Sequence, residues 1–303
     1  MMKAGSTILV IGATGAIGRH VIKSLLADDV NKWKIHALTR NPMSDKARDL
    51  KQMNPDRIRL VQGNTNDITS IKDALENVQG IFVNTDFDSS GIQETQQGIK
   101  ILEAAKWKNV EYAIYLSLDY ATELSLNFVN VPRFDAKGAV EKTIKTRRSG
   151  GDSWFQSHCA VLTVVPYMEN FMDKLKPSYE NGKYRFQLPL KDKVFPLIAL
   201  DDVGWFAAYM FANQALFRGK TLLAAGEAIT GPDIAAQFAE VCGSPAEFID
   251  IESTGSEELD KQFEFIRDYG MSRDYDYLRG MHSELKTFKK WLEEIGCKSL
   301  LDG

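Results

Sequence analysis

The stretch from Thr7 to Gly18, TILVIGATGAIG, limits the fold more than any other part of the chain. Thr7 to Ile11 is an apolar run of strand length that ends on a glycine, which reads as a buried strand. After Gly18, Val21, Ile22, Leu25 and Leu26 continue the apolar spacing begun by Ile17, so a helix follows. Between strand and helix stand three glycines with separate tasks. Gly12 allows the tight turn, Gly15 lets backbone approach a ligand, and Gly18 permits helix and strand to pack closely. The unpaired amides of the opening turn, over Thr14, Gly15, Ala16 and Ile17, face outward with the positive end of the helix dipole. That is an anion site suited to a diphosphate.

The pattern continues as alternating strands and helices. Strand-like runs fall at 7–11, 34–39, 58–62, 80–84, 112–117 and 160–165, with helical stretches at about 16–28, 45–53, 68–77, 92–107 and 134–148. This alternation predicts right-handed βαβ units and an α/β fold: a Rossmann-type doubly wound parallel sheet. After 165 the character changes. Pro166, Pro177, Asn181-Gly182 and Pro189 mark residues 166–195 as a loop-rich insertion with short elements. A helix is expected over 201–217, a short strand over 221–225 and a helix from 231 to about 241. Polar, mostly helical chain follows from 243. The organisation expected is a dinucleotide-binding domain over 1–165, with 196–225 returning to it. A smaller C-terminal α/β lobe that binds substrate is expected from 166–195 and 226–303.

Composition narrows the function. Charged residues make up 26% and the formal net charge is -4, with a pI near 5.7, so no broad basic field invites nucleic acid. The basic run Lys142 to Arg148 reads as a solvated helix end. No apolar run reaches membrane-spanning length, and no secretory leader is read at the start. Cys159, Cys242 and Cys297 are odd in number and far apart, which predicts reduced thiols in a cytoplasmic setting. The four histidines are scattered, so no metal site is expected.

The second strand ends in Thr39-Arg40-Asn41-Pro42. An acidic residue here would hold the ribose 2′-hydroxyl of NAD(H). Arg40 instead can pair with a 2′-phosphate, and Ser44 and Lys46 lie close enough in sequence to join it, so NADP(H) is the expected cofactor. Asn64 and Thr65 follow the third strand, where adenine is contacted. Asn84, Thr85 and Asp86 follow the fourth, near the expected nicotinamide ribose.

The GxxGxxG spacing is similar to that of extended and atypical short-chain dehydrogenases. With TRNP at 39–42, GN at 63–64, FDAKGAVE at 134–141, YMEN at 167–170 and DDVG at 201–204, the chain resembles the NmrA-like family from about residue 7 to 242. The resemblance implies a Rossmann domain with a small C-terminal lobe and bound NADP(H), with Tyr167 and Asn170 of the YMEN motif near the cofactor. Family members divide between reductases of small molecules, some tailoring fungal secondary metabolites, and redox-sensing regulators.

Ordinary short-chain dehydrogenases place a Tyr four residues before a Lys, on one helix face. Lys137 fits the Lys, and Arg133 stands where the Tyr would be. Arginine cannot donate a proton at neutral pH. Three readings stay open. The chain is a reductase with another acid, Asp86 leading and Tyr120 and Tyr167 as rivals. Or it is a cofactor-binding sensor that engages partner proteins without turnover. Or Arg133 stabilises developing negative charge in a hydride transfer coupled to rearrangement or cyclisation. Ser117 sits near the carbonyl-polarising serine of related enzymes. Phe171, Tyr179, Tyr184 and Phe186 suggest an apolar pocket for a small organic substrate. Substrate identity and oligomeric state are not legible, and a homo-oligomer stays open.

Overall fold

Alternate residues on the central strands are apolar at both parities, so the sheet must be covered on both faces. Leu9, Ile11, Ile81, Val83, Ala113, Tyr115 and Val161 join one buried cluster with Ile71, Ile101, Val140 and Ile144 from helices. Ile8, Val10, Phe82, Ile114 and Leu162 are as deeply buried at the other parity. The computed structural model describes residues 2–297, without the side chain of Ile92.

The elements run β1 (Thr7–Ile11), α1 (Ala16–Ala27), β2 (Lys34–Thr39), α2 (Asp45–Gln52), β3 (Ile58–Gln62), α3 (Ile68–Ala74), β4 (Gly80–Val83), α4 (Phe87–Ser90), α5 (Glu94–Trp107), β5 (Tyr112–Leu118), α6 (Ala121–Leu124), α7 (Pro132–Ser149), α8 (Ser153–His158) and β6 (Cys159–Val164). Then come β7 (Ser178–Glu180), β8 (Lys183–Leu188), β9 (Val194–Leu197), α9 (Leu200–Ala212), α10 (Gln214–Phe217), β10 (Thr221–Ala224), β11 (Glu227–Thr230), α11 (Gly231–Cys242), β12 (Ala246–Asp250), α12 (Glu257–Tyr269), α13 (Tyr275–Met281) and α14 (Phe288–Ile295). The chain divides into two compact units. The first takes residues up to Tyr120, Pro132–Thr163 and Val203–Leu222. The second takes Ala121–Val131, Val164–Asp202 and the chain from Leu223 on. Residues 298–303 of the expected lobe lie outside the described residues.

The first unit is built on a seven-stranded sheet in the order β3-β2-β1-β4-β5-β6-β10. The pairs β1–β2, β1–β4, β2–β3 and β4–β5 are parallel. This is the doubly wound sheet that the alternation predicts. The order reverses direction between β1 and β4, and the crevice beyond the carboxyl ends of these two strands is where such sheets hold ligands. One close contact fixes a helix pair: a Cβ on Gly204 of α9 would lie 2.5 Å from the His20 carbonyl of α1, so only glycine fits. Arg148 departs from the solvated helix end expected for residues 142–148. Its guanidinium donates to the carbonyls of Phe155 (3.3 Å) and Cys159 (2.9 Å), tying α7 to α8 and β6.

In the second unit, β9 and β11 pair antiparallel, and a three-stranded sheet runs β7-β8-β12. The insertion at 166–195 therefore holds more strand than its turn residues predict. β8 finds its parallel partner in β12, far along the chain, with Phe186 level with Phe248. Two expectations are corrected here. Phe171 and Phe186, expected at an apolar pocket, are core residues: both are fully buried, and Phe171 packs edge-on against Phe186 and Phe288 with ring centroids 5.9 and 5.2 Å apart. Aromatic rings with no polar partner to reach are more stable inside this unit's core. Cys242 and Cys297 are not reduced thiols: they form a disulfide with Cα atoms 5.5 Å apart. Their separation in sequence concealed that the ends of α11 and α14 meet. Cys159 remains a thiol, and burial pushes its pKa up to about 12, which leaves it unreactive. No helix among the described residues is long and apolar enough to cross a membrane.

Candidate functional site

At the mouth of β1 the site is made of backbone. Gly12 has φ +76°, in the left-handed region, and a Cβ there would lie 2.7 Å from the Asn84 carbonyl beyond β4. Gly15 is the N-cap of α1, and its N–H donates to the Gly12 carbonyl at 3.1 Å. A Cβ on Gly18 would fall 2.2 Å from the Gly12 oxygen and 2.7 Å from Ala13 Cα, so the helix sits directly on the turn. No side chain caps α1 and no acid stands in its first turn. Gly15 and Ala16 are exposed, and Thr14 and Ile17 are half-buried. The turn thus presents the first amides of α1 and the helix dipole with no capping side chain and no acid in the first turn to offset them.

Beyond β2, Arg40 is exposed, and its guanidinium has no hydrogen-bond or ion-pair partner among the described residues. Ser44 is already engaged as the N-cap of α2: its Oγ accepts from Ala47 N at 3.3 Å and donates to the Asn41 carbonyl at 2.9 Å. Lys46 is exposed in the first turn of that helix, and its carbonyl accepts from Arg19 Nη1 at 3.4 Å. Arg19, the residue after the third glycine, therefore joins Lys46 beside the loop. Sequence reasoning passed over it, although its position directly after Gly18 was a usable sign. Asn64 is exposed beyond β3, with its Oδ1 accepting from Asn66 N at 3.0 Å, and Thr65 beside it is half-buried.

The mouth of β4 is made of side chains. Lys137, on α7, is almost fully buried. Its Nζ lies 2.8 Å from the Thr85 carbonyl, 3.2 Å from Asn84 Oδ1, 3.3 Å from Thr85 Oγ1 and 2.9 Å from Glu94 Oε1. Thr85 Oγ1 donates to the same Glu94 oxygen at 2.6 Å. Burial pulls the Lys137 pKa below the usual lysine range, against the opposing pull of the Glu94 carboxylate. The structure therefore brings Asn84, Thr85 and Lys137 together, and adds Glu94, which the sequence did not reveal.

The other candidates are arranged differently. Asp86 is exposed and caps α4, its Oδ1 accepting from Asp88 N at 3.2 Å. Arg133 pairs with Asp88 at 2.5 Å, and its guanidinium lies over the Phe87 ring at 5.3 Å. Tyr120 packs on α7, where a Cβ on Gly138 would come within 2.6 Å of its Cα, and Lys142 Nζ lies 5.7 Å from its ring centre. Ser117 is fully buried, with Oγ donating to the Leu118 carbonyl at 3.2 Å. Tyr167 and Asn170 belong to the second unit, in a short turn where Asn170 N donates to the Tyr167 carbonyl at 3.1 Å. Between them, Glu169 accepts from Leu200 N and from Trp291 Nε1, each at 3.1 Å. The YMEN motif thereby anchors the start of α9 and the indole of α14 within its unit.

A glycine turn on the switch-point crevice of a parallel sheet, with a buried lysine at the next strand, defines a Rossmann-like α/β protein. The NmrA-like family model matches residues 4–276, and the chain belongs to that family. An NmrA-like family domain-containing protein of Dictyostelium discoideum is 25% identical, over 96% of this chain and 98% of its own length. An NmrA-like family domain-containing oxidoreductase, hkm9, of Aspergillus hancockii is 27% identical, over 81% of this chain and 75% of its own length. Among solved structures, NmrA, described as a negative transcriptional regulator in complex with NADP, superposes with a TM-score of 0.80 at 17% identity. The match covers 97% of this chain and 96% of that one.

Proposed function

We propose that this chain binds NADP(H) at the carboxyl edge of the first unit's sheet and transfers hydride between it and a small, largely apolar organic molecule. The observation that carries the reading is the bare turn at Gly12, Gly15 and Gly18. A Cβ at Gly12 or Gly18 would strike backbone, and the amides of α1 have no internal acid or cap. Such a turn fits a diphosphate and little else of comparable size. Bound there, the dinucleotide supplies a nicotinamide that gives or takes a hydride. The amides of Ala16 and Ile17 hold the diphosphate, and Gly15, whose own N–H is used within the turn, lets them approach it. Arg40, with Arg19 and Lys46 beside the loop, balances a 2′-phosphate. Asn64 and Thr65 face adenine, and Lys137, held against Asn84 and Thr85, orients the nicotinamide ribose. The name of the Aspergillus relative as an oxidoreductase and the NADP complex of NmrA support this reading.

A second reading is favoured by one observation. One turn before Lys137, where the dehydrogenase tyrosine would stand, Arg133 is committed to Asp88. This makes the chain an NADPH-binding regulator that engages partner proteins. Calorimetric titration with NADPH and NADH, followed by an absorbance assay with quinones, enones, imines and iminium compounds, separates the two. The enzyme reading expects tight NADPH binding and oxidation of NADPH by at least one class. Tight binding with no turnover, and an oligomeric state that changes with NADPH, overturns it in favour of the regulator. No binding of either nucleotide overturns both.

A further inference from the structure

We infer that Glu94, at the first position of α5, is a positioning residue of this site: its carboxylate keeps the Lys137 ammonium ionised and aimed at the backbone mouth of β4. The inference rests on the reading of Lys137 as the lysine that faces the cofactor. Glu94 is fully buried, and its Oε1 lies 2.9 Å from Lys137 Nζ and 2.6 Å from Thr85 Oγ1. Its other oxygen, Oε2, is buried and has no hydrogen-bond partner among the described residues. The carboxylate's negative charge is therefore met by one cation and one hydroxyl, together with the positive end of the α5 dipole.

The surroundings make the coupling strong. The hydroxyl of Tyr115, on β5, is also buried, near Thr85 but with no well-formed hydrogen bond among the described residues, and a Cβ on Gly98 would lie 3.4 Å from it. Gly98 is one helical turn after Glu94, so the phenol faces the same side of α5. Burial, and next the nearby Glu94 charge, push the Tyr115 pKa up, so the phenol stays neutral and offers no countercharge. The other charged groups facing Lys137 are Asp86, beyond β4, and Arg133, one turn earlier on α7; Glu141, further along α7, faces Tyr115. Asp86 is exposed to solvent, which screens it, and Arg133 is a like charge. Glu94 is therefore the group on which ionised Lys137 depends. Without it, a buried ammonium among neutral oxygens gives up its proton more easily.

The consequence has a definite sign. Glu94 opposes the lowering of the Lys137 pKa by burial, so removing the carboxylate lets that pKa fall further. Binding that needs the ammonium should then fail at a lower pH. The test titrates the full chain with NADPH by fluorescence, from about pH 6 to about pH 10. It is run in wild type, Glu94→Gln, Glu94→Asp, Lys137→Met and the double variant Glu94→Gln/Lys137→Met, with the melting temperature of each.

Glu94→Gln is expected to weaken NADPH binding about tenfold near neutral pH, the scale of one charge-assisted hydrogen bond. It should also move the alkaline loss of binding down by about one pH unit or more. Glu94→Asp should recover part of both. In the Lys137→Met background, adding Glu94→Gln should change affinity by less than about twofold. The double variant should melt above either single variant, since each single change strands one buried charge. An alkaline limb left in place by Glu94→Gln, or an equal penalty in both backgrounds, overturns the inference and leaves the pair a purely structural one. Failure of wild type to bind NADPH overturns the cofactor reading instead. The melting temperatures then still decide the pairing, and additive losses overturn it.

Discussion

The mouths of β1 and β4 lie side by side in the first unit and are built from opposite materials. At β1, the surface is backbone: three glycines, a helix with no side-chain cap and no acidic side chain in the first turn. At β4, it is a buried cluster in which Lys137, Glu94 and Thr85 contact one another across 52 residues of chain. A backbone site is specified by what is missing, and it tolerates almost no added atom. A side-chain site is specified by charge balance, and it tolerates changes of size better than changes of charge. The two ends should therefore fail in different ways.

The largest effect is expected from Gly18→Ala. Its methyl would lie 2.2 Å from the Gly12 oxygen, so backbone has to move, and the loss in unfolding free energy should be about 3 kcal/mol or more. Denaturant unfolding checks this, and a loss near zero would show that the turn is more plastic than the contact implies. Next is Arg40→Asp, which should weaken NADPH binding roughly ten- to hundredfold while leaving NADH within a few-fold, as expected for loss of a charge-assisted phosphate contact. Isothermal titration with both nucleotides reads the ratio; equal losses would remove Arg40 from 2′-phosphate recognition.

At the β4 mouth, Thr85→Val keeps shape but removes the hydroxyl that donates to Glu94 at 2.6 Å, with an expected cost of about 1–2 kcal/mol. Chemical denaturation at neutral pH checks it, and a neutral or stabilising result would show that the cluster's balance does not need the hydroxyl. The smallest effect is expected from a control in the second unit. Lys183 and Arg185 on β8 hydrogen-bond Glu247 on β12 and hold its carboxyl below the usual glutamate range. A lowered folded pKa means that the unfolded state binds more protons as pH falls below about 4.5, so this contribution is present at neutral pH and lost in acid. Glu247→Gln should flatten the acid limb of the stability profile slightly and leave both mouths unchanged. A steeper acid limb in the variant would reverse the assigned sign.

This contrast also explains what was legible beforehand. β1, β2 and β3 span the residues marked by their apolar runs, because strands buried on both faces carry their signature in consecutive residues. The three glycines were legible because their constraint is local. Glu94 was not: it opens a polar stretch, Glu94-Thr95-Gln96-Gln97, and an acid at a helix start reads as a surface residue favoured by the dipole. Only the tertiary fold, which sets Tyr115 against Gly98, shows that this turn is inside. α8 escaped notice because it is six residues long and is announced only by its cap, Asp152. The pairing of β8 with β12 and the joining of Cys242 to Cys297 are contacts between distant segments, and no periodicity records them.

The bridge between Cys242 and Cys297 has a topological consequence. It closes a covalent ring over a sequence separation of 55, carrying β12, α12, α13 and α14 within it. A protease that cuts one peptide bond inside that ring severs the main chain without releasing a fragment. The two pieces migrate together on a gel until a reducing agent parts them.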